Sequence, residues 1–197
     1  MKAKLKEILP EHKLSTSSSS ELYIVDYKNL NNGDVELLEI KPEGIKSIYL
    51  ENPRSVEIIF DGFKDNSLPL DEPGEYCRQC ECVIFPKSCN ENDWILFIEA
   101  KYTNNLESAF KKENDYPNCM KEQVLLTVEY FRNKGIIAKD RRVNAIVSFP
   151  NLISEFNSTF FSNRKEIEDI LLKHKILIRA TNSALIKSEK RIKLNSI

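Results

Sequence analysis

The segment running from Trp94 to Tyr102, WILFIEAKY, constrains this chain more than any other stretch. It is apolar as far as Ile98 and then carries Glu99 and Lys101. A run of this kind reads as a strand buried on both faces. Period-two alternation puts Glu99 and Lys101 on one face and Ala100 on the other. Charge buried there is costly unless it is paired or metal-bound, so the two residues need a partner or a use. The plainer account is a strand whose end runs out into solvent.

Strand-like pieces dominate the first half of the chain: 21–27, 34–40, 46–52, 55–61 and 79–85. Asn32-Gly33 suits a tight hairpin between the first two. The stretch from Asp61 to Gly74 holds two prolines and two glycines and reads as loop. In the second half the period changes. Residues 117–134 read as a helix, with Pro117 in its first turn and Gly135 just past its end. VNAIVSF (143–149) is another buried strand, and 165–175 is a second helix with acids first and bases last. The strand 176–180 and a hairpin over 183–194 close the pattern. The reading is one α+β domain over residues 1–197 with its core at 55–180. Residues 1–20 form an N-terminal helix and a flexible serine-rich linker, and the first fifty or so residues are a β-rich extension.

With 41% apolar and 30% charged residues, the composition is that of a globular chain and not of a disordered one. No stretch approaches a membrane span, and the N-terminus lacks the apolar run of a signal peptide. Five cysteines, an odd number, argue against a disulfide framework. A cytoplasmic protein is the expectation.

Four of those cysteines, Cys77, Cys80, Cys82 and Cys89, fall within a short span. Thiolates so grouped hold Zn²⁺ or iron–sulfur clusters in other settings. The spacing is poor for a zinc knuckle. Cys80 and Cys82 also share a strand face opposite Glu81, which suits buried core thiols. The expectation is therefore packing, with no thiolate metal. His12 and His174 are the only histidines, and neither has a ligand spacing. Histidine-dependent hydrolysis is thus disfavoured, and no glycine-rich phosphate loop is present.

Glu81 is the only charged residue of QCECVIF (79–85). If that strand pairs with WILFIEAKY as a hairpin, Glu81 and Glu99 converge. Two carboxylates make a hard-oxygen site for Mg²⁺ or Mn²⁺, with Asp93 in the linking segment as a reserve ligand. Lys101 beside them would orient a water or stabilise charge developing on a phosphate. On the helix that follows, Gln123, Thr127 and Tyr130 form one polar stripe, from which Gln123 would join the catalytic group by binding phosphate or Lys101; plain solvent exposure is the competing account.

A strand acid, a hairpin, a Glu-x-Lys strand and then a helix bearing Gln is a pattern that resembles the PD-(D/E)XK nuclease superfamily. The matching residues are Glu81 in CECVIFP, Glu99 and Lys101 in IEAKY, and Gln123 in KEQVLLTVEYF, over roughly residues 76–150. Gln123 followed by Tyr130 is similar to the RecB-like subgroup. The resemblance implies a restriction-endonuclease-like mixed sheet flanked by helices. It also implies metal ligation by Glu81 and Glu99, a catalytic Lys101, and metal-dependent hydrolysis of nucleic acid, DNA above all. Glu81 stands where the family usually has Asp, and no Pro-Asp precedes the hairpin. A catalytically inactive module that binds nucleic acid or a partner protein, or that pairs as a homodimer, is the alternative.

Charge is unevenly spread. The chain carries a net −1, but residues 161–197 carry nine Lys and Arg against four acids. Lys187, Lys190, Arg191 and Lys193 are thus the candidate nucleic-acid contacts. A solvated edge hairpin is the competing account.

Overall fold

The computed structural model describes residues 1–31, 33–102, 105, 107, 115–154 and 164–195. Among the described residues, eleven strands form two mixed sheets. In chain order they are β1 (Ser15–Ser17), β2 (Glu21–Asp26), β3 (Val35–Leu38), β4 (Ile48–Glu51), β5 (Ile58–Gly62), β6 (Cys82–Pro86), β7 (Leu96–Ala100), β8 (Val143–Ser148), β9 (Ile176–Ala180), β10 (Ser183–Ser188) and β11 (Arg191–Leu194). The longer helices are α1 (Lys2–Ile8), α3 (Tyr116–Asn133) and α4 (Arg164–His174), and a single helical turn, α2 (Lys28–Asn31), follows β2.

The first sheet has the order β1-β5-β6-β7-β8-β9, and the second β11-β10-β4-β2-β3. Strands β7, β8 and β9 run parallel, while β5, β6 and β7 are antiparallel. Alternation along β7 explains the layering. Ile95 and Phe97 face Val124, Val128 and Phe131 of α3 in one core. Leu96 and Ile98 face Leu22, Ile24, Ile48 and Leu50 of the second sheet in the other. The central strand is buried on both faces because helices cover one side and a sheet covers the other. Edge-to-face packing of Phe97 on Phe131, with centroids 5.3 Å apart, joins β7 to α3. That helix stops where expected: Gly135 has φ +67°, and the Ile136 amide returns to the Phe131 carbonyl at 2.8 Å.

Three expectations change. The serine run is not a loose linker, since Ser15–Ser17 pairs with Ile58–Phe60 as an edge strand. Polar side chains are no obstacle at an edge, where one side of the strand meets water. The β-rich first fifty residues do not stand as an extension either. Strand β4 pairs in parallel with β10, Tyr49 opposite Ser183, so strands from both halves of the chain make one sheet. Finally, the link between β2 and β3 carries α2 in place of a two-residue turn, and the Gly33 amide bonds to the Asn31 side chain at 2.9 Å. Asn32 lies outside the described residues.

No helix among the described residues is long and apolar enough to cross a membrane.

Candidate functional site

The strands β2, β5 and β7 all end at the same edge of the two-sheet stack, and β6 begins there. Register explains the meeting. Cys82 faces Ile98 and Val83 faces Phe97 in an antiparallel ladder. One step further, where the ladder opens, stand Glu81 and Glu99. The Glu81 amide still donates to the Ile98 carbonyl at 2.9 Å, and its carbonyl accepts from the Phe63 amide at 2.8 Å. The main chain carrying this carboxylate is therefore fixed on both sides.

Lys101 completes the group. Its Nζ lies 2.8 Å from Glu99 Oε1 and 3.2 Å from Glu81 Oε1. The backbone of Lys101 is anchored by its amide on the Ser148 carbonyl of β8 at 2.9 Å. Glu99 is wholly buried, and its Oε2 has no hydrogen-bond partner among the described residues. Burial pushes the Glu99 carboxyl up to about 8; the Lys101 ammonium opposes that rise and the Glu81 charge adds to it. For Lys101 itself burial works against the charge, but Glu99 and Glu81 outweigh it and hold the ammonium above its ordinary range.

A second lysine enters from α2, just past the end of β2. Lys28 puts its Nζ 2.9 Å from Glu81 Oε2 and 3.0 Å from Asp65 Oδ1. Two residues earlier, buried Asp26 accepts the Lys28 amide on Oδ1 at 2.9 Å. Burial, followed by the Glu81 charge, raises the Asp26 carboxyl, with both lysines pulling the other way. Sequence reasoning missed Asp26 and Lys28, though a signal was present. VDYK at the end of β2 repeats the acid-x-lysine spacing of IEAK at the end of β7.

Other candidates fall elsewhere. Asp93 is in the β6–β7 turn, six residues of strand from Glu99, roughly 20 Å away at about 3.3 Å per residue. Its Oδ2 accepts the Ser88 hydroxyl at 2.6 Å and the Asn90 amide at 2.7 Å, a turn-closing role. A residue linking two hairpin strands must sit at the closed end, and Glu81 and Glu99 are at the open one. Gln123 does not reach Lys101. It donates to the Gln79 carbonyl at 2.8 Å. Thr127, fully buried, accepts the Cys80 amide at 2.8 Å and donates to the Gln123 carbonyl at 2.7 Å. The polar stripe of α3 thus clamps the lead-in to Glu81.

The cysteines form no disulfide, and no three of them gather with one another or with other ligating side chains among the described residues. Cys80 packs under the helices, whereas Cys82 packs between the sheets, because regular strand begins only at Cys82. Cys89 lies past the far end of β6. Burial drives the Cys80 and Cys82 thiols well up. His12, set aside from the sequence, is nearly buried against Asp61: Nδ1 lies 2.8 Å from Asp61 Oδ2, and Nε2 lies 3.0 Å from the Ser67 carbonyl. A cavity of about 670 Å³ beside this pair is lined by His12, Asp65 and Tyr76 and by none of Glu81, Glu99 or Lys101.

The basic residues of the C-terminal hairpin form no part of the carboxylate cluster. The hairpin turn rests on Trp94, whose Nε1 donates to the Ser188 carbonyl at 2.9 Å, at the closed end of β6–β7. Lys187, Arg191 and Lys193 line one groove with Arg179, and Lys190 lines its neighbour.

Among the described residues no group of three or more His, Cys, Asp and Glu side chains is arranged to hold a metal ion. Glu81 and Glu99 are a two-carboxylate set. That matches Mg²⁺, which commonly takes one or two carboxylates and completes its shell with water and substrate phosphate. Comparison of the chain with protein-family models, with curated proteins and with solved structures finds no match.

Proposed function

We propose that the chain hydrolyses phosphodiester bonds in nucleic acid, DNA above all, with Mg²⁺ or Mn²⁺ held by Glu81 and Glu99. The observation that carries this reading is one ammonium, that of Lys101, shared by two buried carboxylates, of which Glu99 keeps an oxygen without a hydrogen-bond partner among the described residues. A buried carboxylate oxygen left bare is expensive, and a cation is the natural partner for it. The metal, when bound, would supply Lewis-acid stabilisation of the phosphoryl oxygens. Lys101 would turn from the carboxylates to the attacking water and to charge growing on phosphorus. Lys28 would hold Glu81 in orientation. On this reading β5–β9 with α3 are a restriction-endonuclease-like core, and Gln123 serves it by fixing the strand that delivers Glu81.

The test is cleavage of linear, circular and single-stranded DNA in Mg²⁺ or Mn²⁺ against EDTA. Cleavage is expected only with metal, and Glu99→Gln and Lys101→Met should each abolish it in folded protein. Cleavage persisting in EDTA or in either variant refutes the mechanism.

One contact favours the alternative of a non-catalytic module. Lys28 occupies the second oxygen of Glu81 and Lys101 the first, so both oxygens of one candidate ligand are already paired. A calorimetric titration with Mn²⁺ separates the two: absence of binding by folded protein favours the module.

A further inference from the structure

The cavity beside His12 is separate from the carboxylate cluster, since Glu81, Glu99 and Lys101 have no part in its wall. Its volume of about 670 Å³ falls in the range of small-molecule sites. The wall is largely apolar, with Leu9 just past α1, Val35 and Leu37 of β3, and Phe60 of β5. Tyr76 also lines it and is 45% exposed, so its ring borders the opening.

Charge at this wall is one-sided. Glu11, Asp34, Glu36 and Asp65 stand against Lys13 and Lys64. Lys64 is taken by Asp34 at 3.8 Å, and Asp65 holds Lys28 at 3.0 Å. Glu11 and Glu36 make no ion pair among the described residues. His12 and Asp61, 2.8 Å apart, cancel each other's charge. The hairpin over 68–77, which supplies Pro69 and Tyr76 to the wall, carries Asp71, Glu72 and Glu75 and no base. A surplus of negative potential in a cleft concentrates cations there.

The main chain adds acceptors. Strand β3 is the outermost of its sheet. The Tyr27 amide donates to the Asp34 carbonyl at 3.3 Å, so alternation turns the amides and carbonyls of Val35 and Leu37 away from β2. No backbone partner takes them up among the described residues. Carbonyl and carboxylate oxygens accept from an ammonium, and the faces of Tyr76 and Phe60 attract it as well. An anionic ligand would meet repulsion from the same acids. From these features we infer that the cavity binds a small organic cation, an apolar ring system carrying a primary amine.

This site stands whether or not the carboxylate cluster hydrolyses anything, and its test reads binding alone. The full chain is titrated calorimetrically at neutral pH with naphthylmethylamine, with the uncharged naphthalenemethanol and with naphthoate. The amine should bind one to one with a dissociation constant on the order of 0.1 mM, the alcohol about ten-fold more weakly and naphthoate more weakly still. Glu11→Gln/Glu36→Gln should weaken the amine on the order of ten-fold and leave the alcohol unchanged. A control, Glu168→Gln/Glu189→Gln, removes as many acids elsewhere and should leave both in place. Leu37→Trp fills the cavity and should abolish binding of amine and alcohol alike. Should it misfold by circular dichroism, Tyr76→Ala, at an exposed site, should weaken the amine about three-fold. No binding of the amine, naphthoate bound as tightly as the amine, equal losses in the cavity and control variants, or full affinity in folded Leu37→Trp or in Tyr76→Ala would each overturn the assignment.

Discussion

Lys28 and Glu81, 53 residues apart in the chain, meet with 2.9 Å between ammonium and carboxylate, and the contact runs from α2, just past β2 of the second sheet, to Glu81 just ahead of β6 in the first. Glu81 is thereby gripped from both layers, by Lys28 on Oε2 and by Lys101 on Oε1. Removing Lys28 leaves a buried carboxylate with half its partners. Lys28→Met should lower stability by about 1–3 kcal/mol, short of the cost of breaking a fully buried pair, because Lys101 remains. Urea unfolding measures this, and Lys28→Arg should recover most of the loss. An unchanged midpoint in Lys28→Met would show that the bridge holds nothing.

Thr127 offers a sharper test of how the lead-in to Glu81 is held. Its hydroxyl is the acceptor for the buried Cys80 amide. Thr127→Val keeps the shape and strands that amide, at about 1–3 kcal/mol. Thr127→Ser keeps the oxygen and should cost less. Equal losses in the two variants would assign the effect to the methyl group's packing instead.

The His12–Asp61 pair predicts a pH dependence. Burial lowers the His12 pKa, but the hydrogen bond and charge of Asp61 and the Ser67 carbonyl more than reverse this, leaving it above 6.5. Burial also raises Asp61. Both shifts mean that the folded state holds protons more tightly than the unfolded one. The His12 contribution is therefore fully present below pH 6.5 and is lost as pH rises through the higher folded value. The Tm of the native chain should fall relative to that of His12→Asn between pH 6 and pH 8.5. A constant gap across that range contradicts the charged pair.

Gly62 marks where the two sheets touch. A Cβ there would stand 2.6 Å from the Val35 carbonyl of β3 and 3.0 Å from the Phe60 ring. The first obstacle is backbone, which cannot swing aside. Gly62→Ala should cost about 1–3 kcal/mol through overpacking. Denaturation that matches the native chain would mean that the seam relaxes freely.

The elements of this fold were legible because each carries its own local mark. WILFIEAKY announces a two-faced strand, and Pro117 and Gly135 bracket α3. The proximity of Glu81 to Glu99 was legible as a conditional: if the two strands pair as a hairpin the carboxylates can converge, but residues 87–95 between them are too long a link to fix the register. Pairings between distant segments leave no such mark. Nothing in KSIYLEN or SALIKS says that one lies parallel to the other, so the second sheet, and with it Lys28, stayed hidden. Gln123 could be placed on a helix face, but with Lys101 or phosphate as its expected partner; its actual acceptor is the Gln79 main-chain carbonyl, and any residue supplies one. Asp93 was misplaced for a simpler reason: its position in the turn already put it a strand's length from the open end.

The parallel pairing of β4 with β10 bears on the order of events during synthesis. Strand β4 emerges with more than half the chain still to come before Ser183 reaches Tyr49. Until then one hydrogen-bonding edge of β4 and the apolar row Ile48 and Leu50 wait uncovered, a template for any strand that passes. The nascent chain thus has a vulnerable interval that the folded domain lacks, and it closes only when β10, made long after β4, arrives.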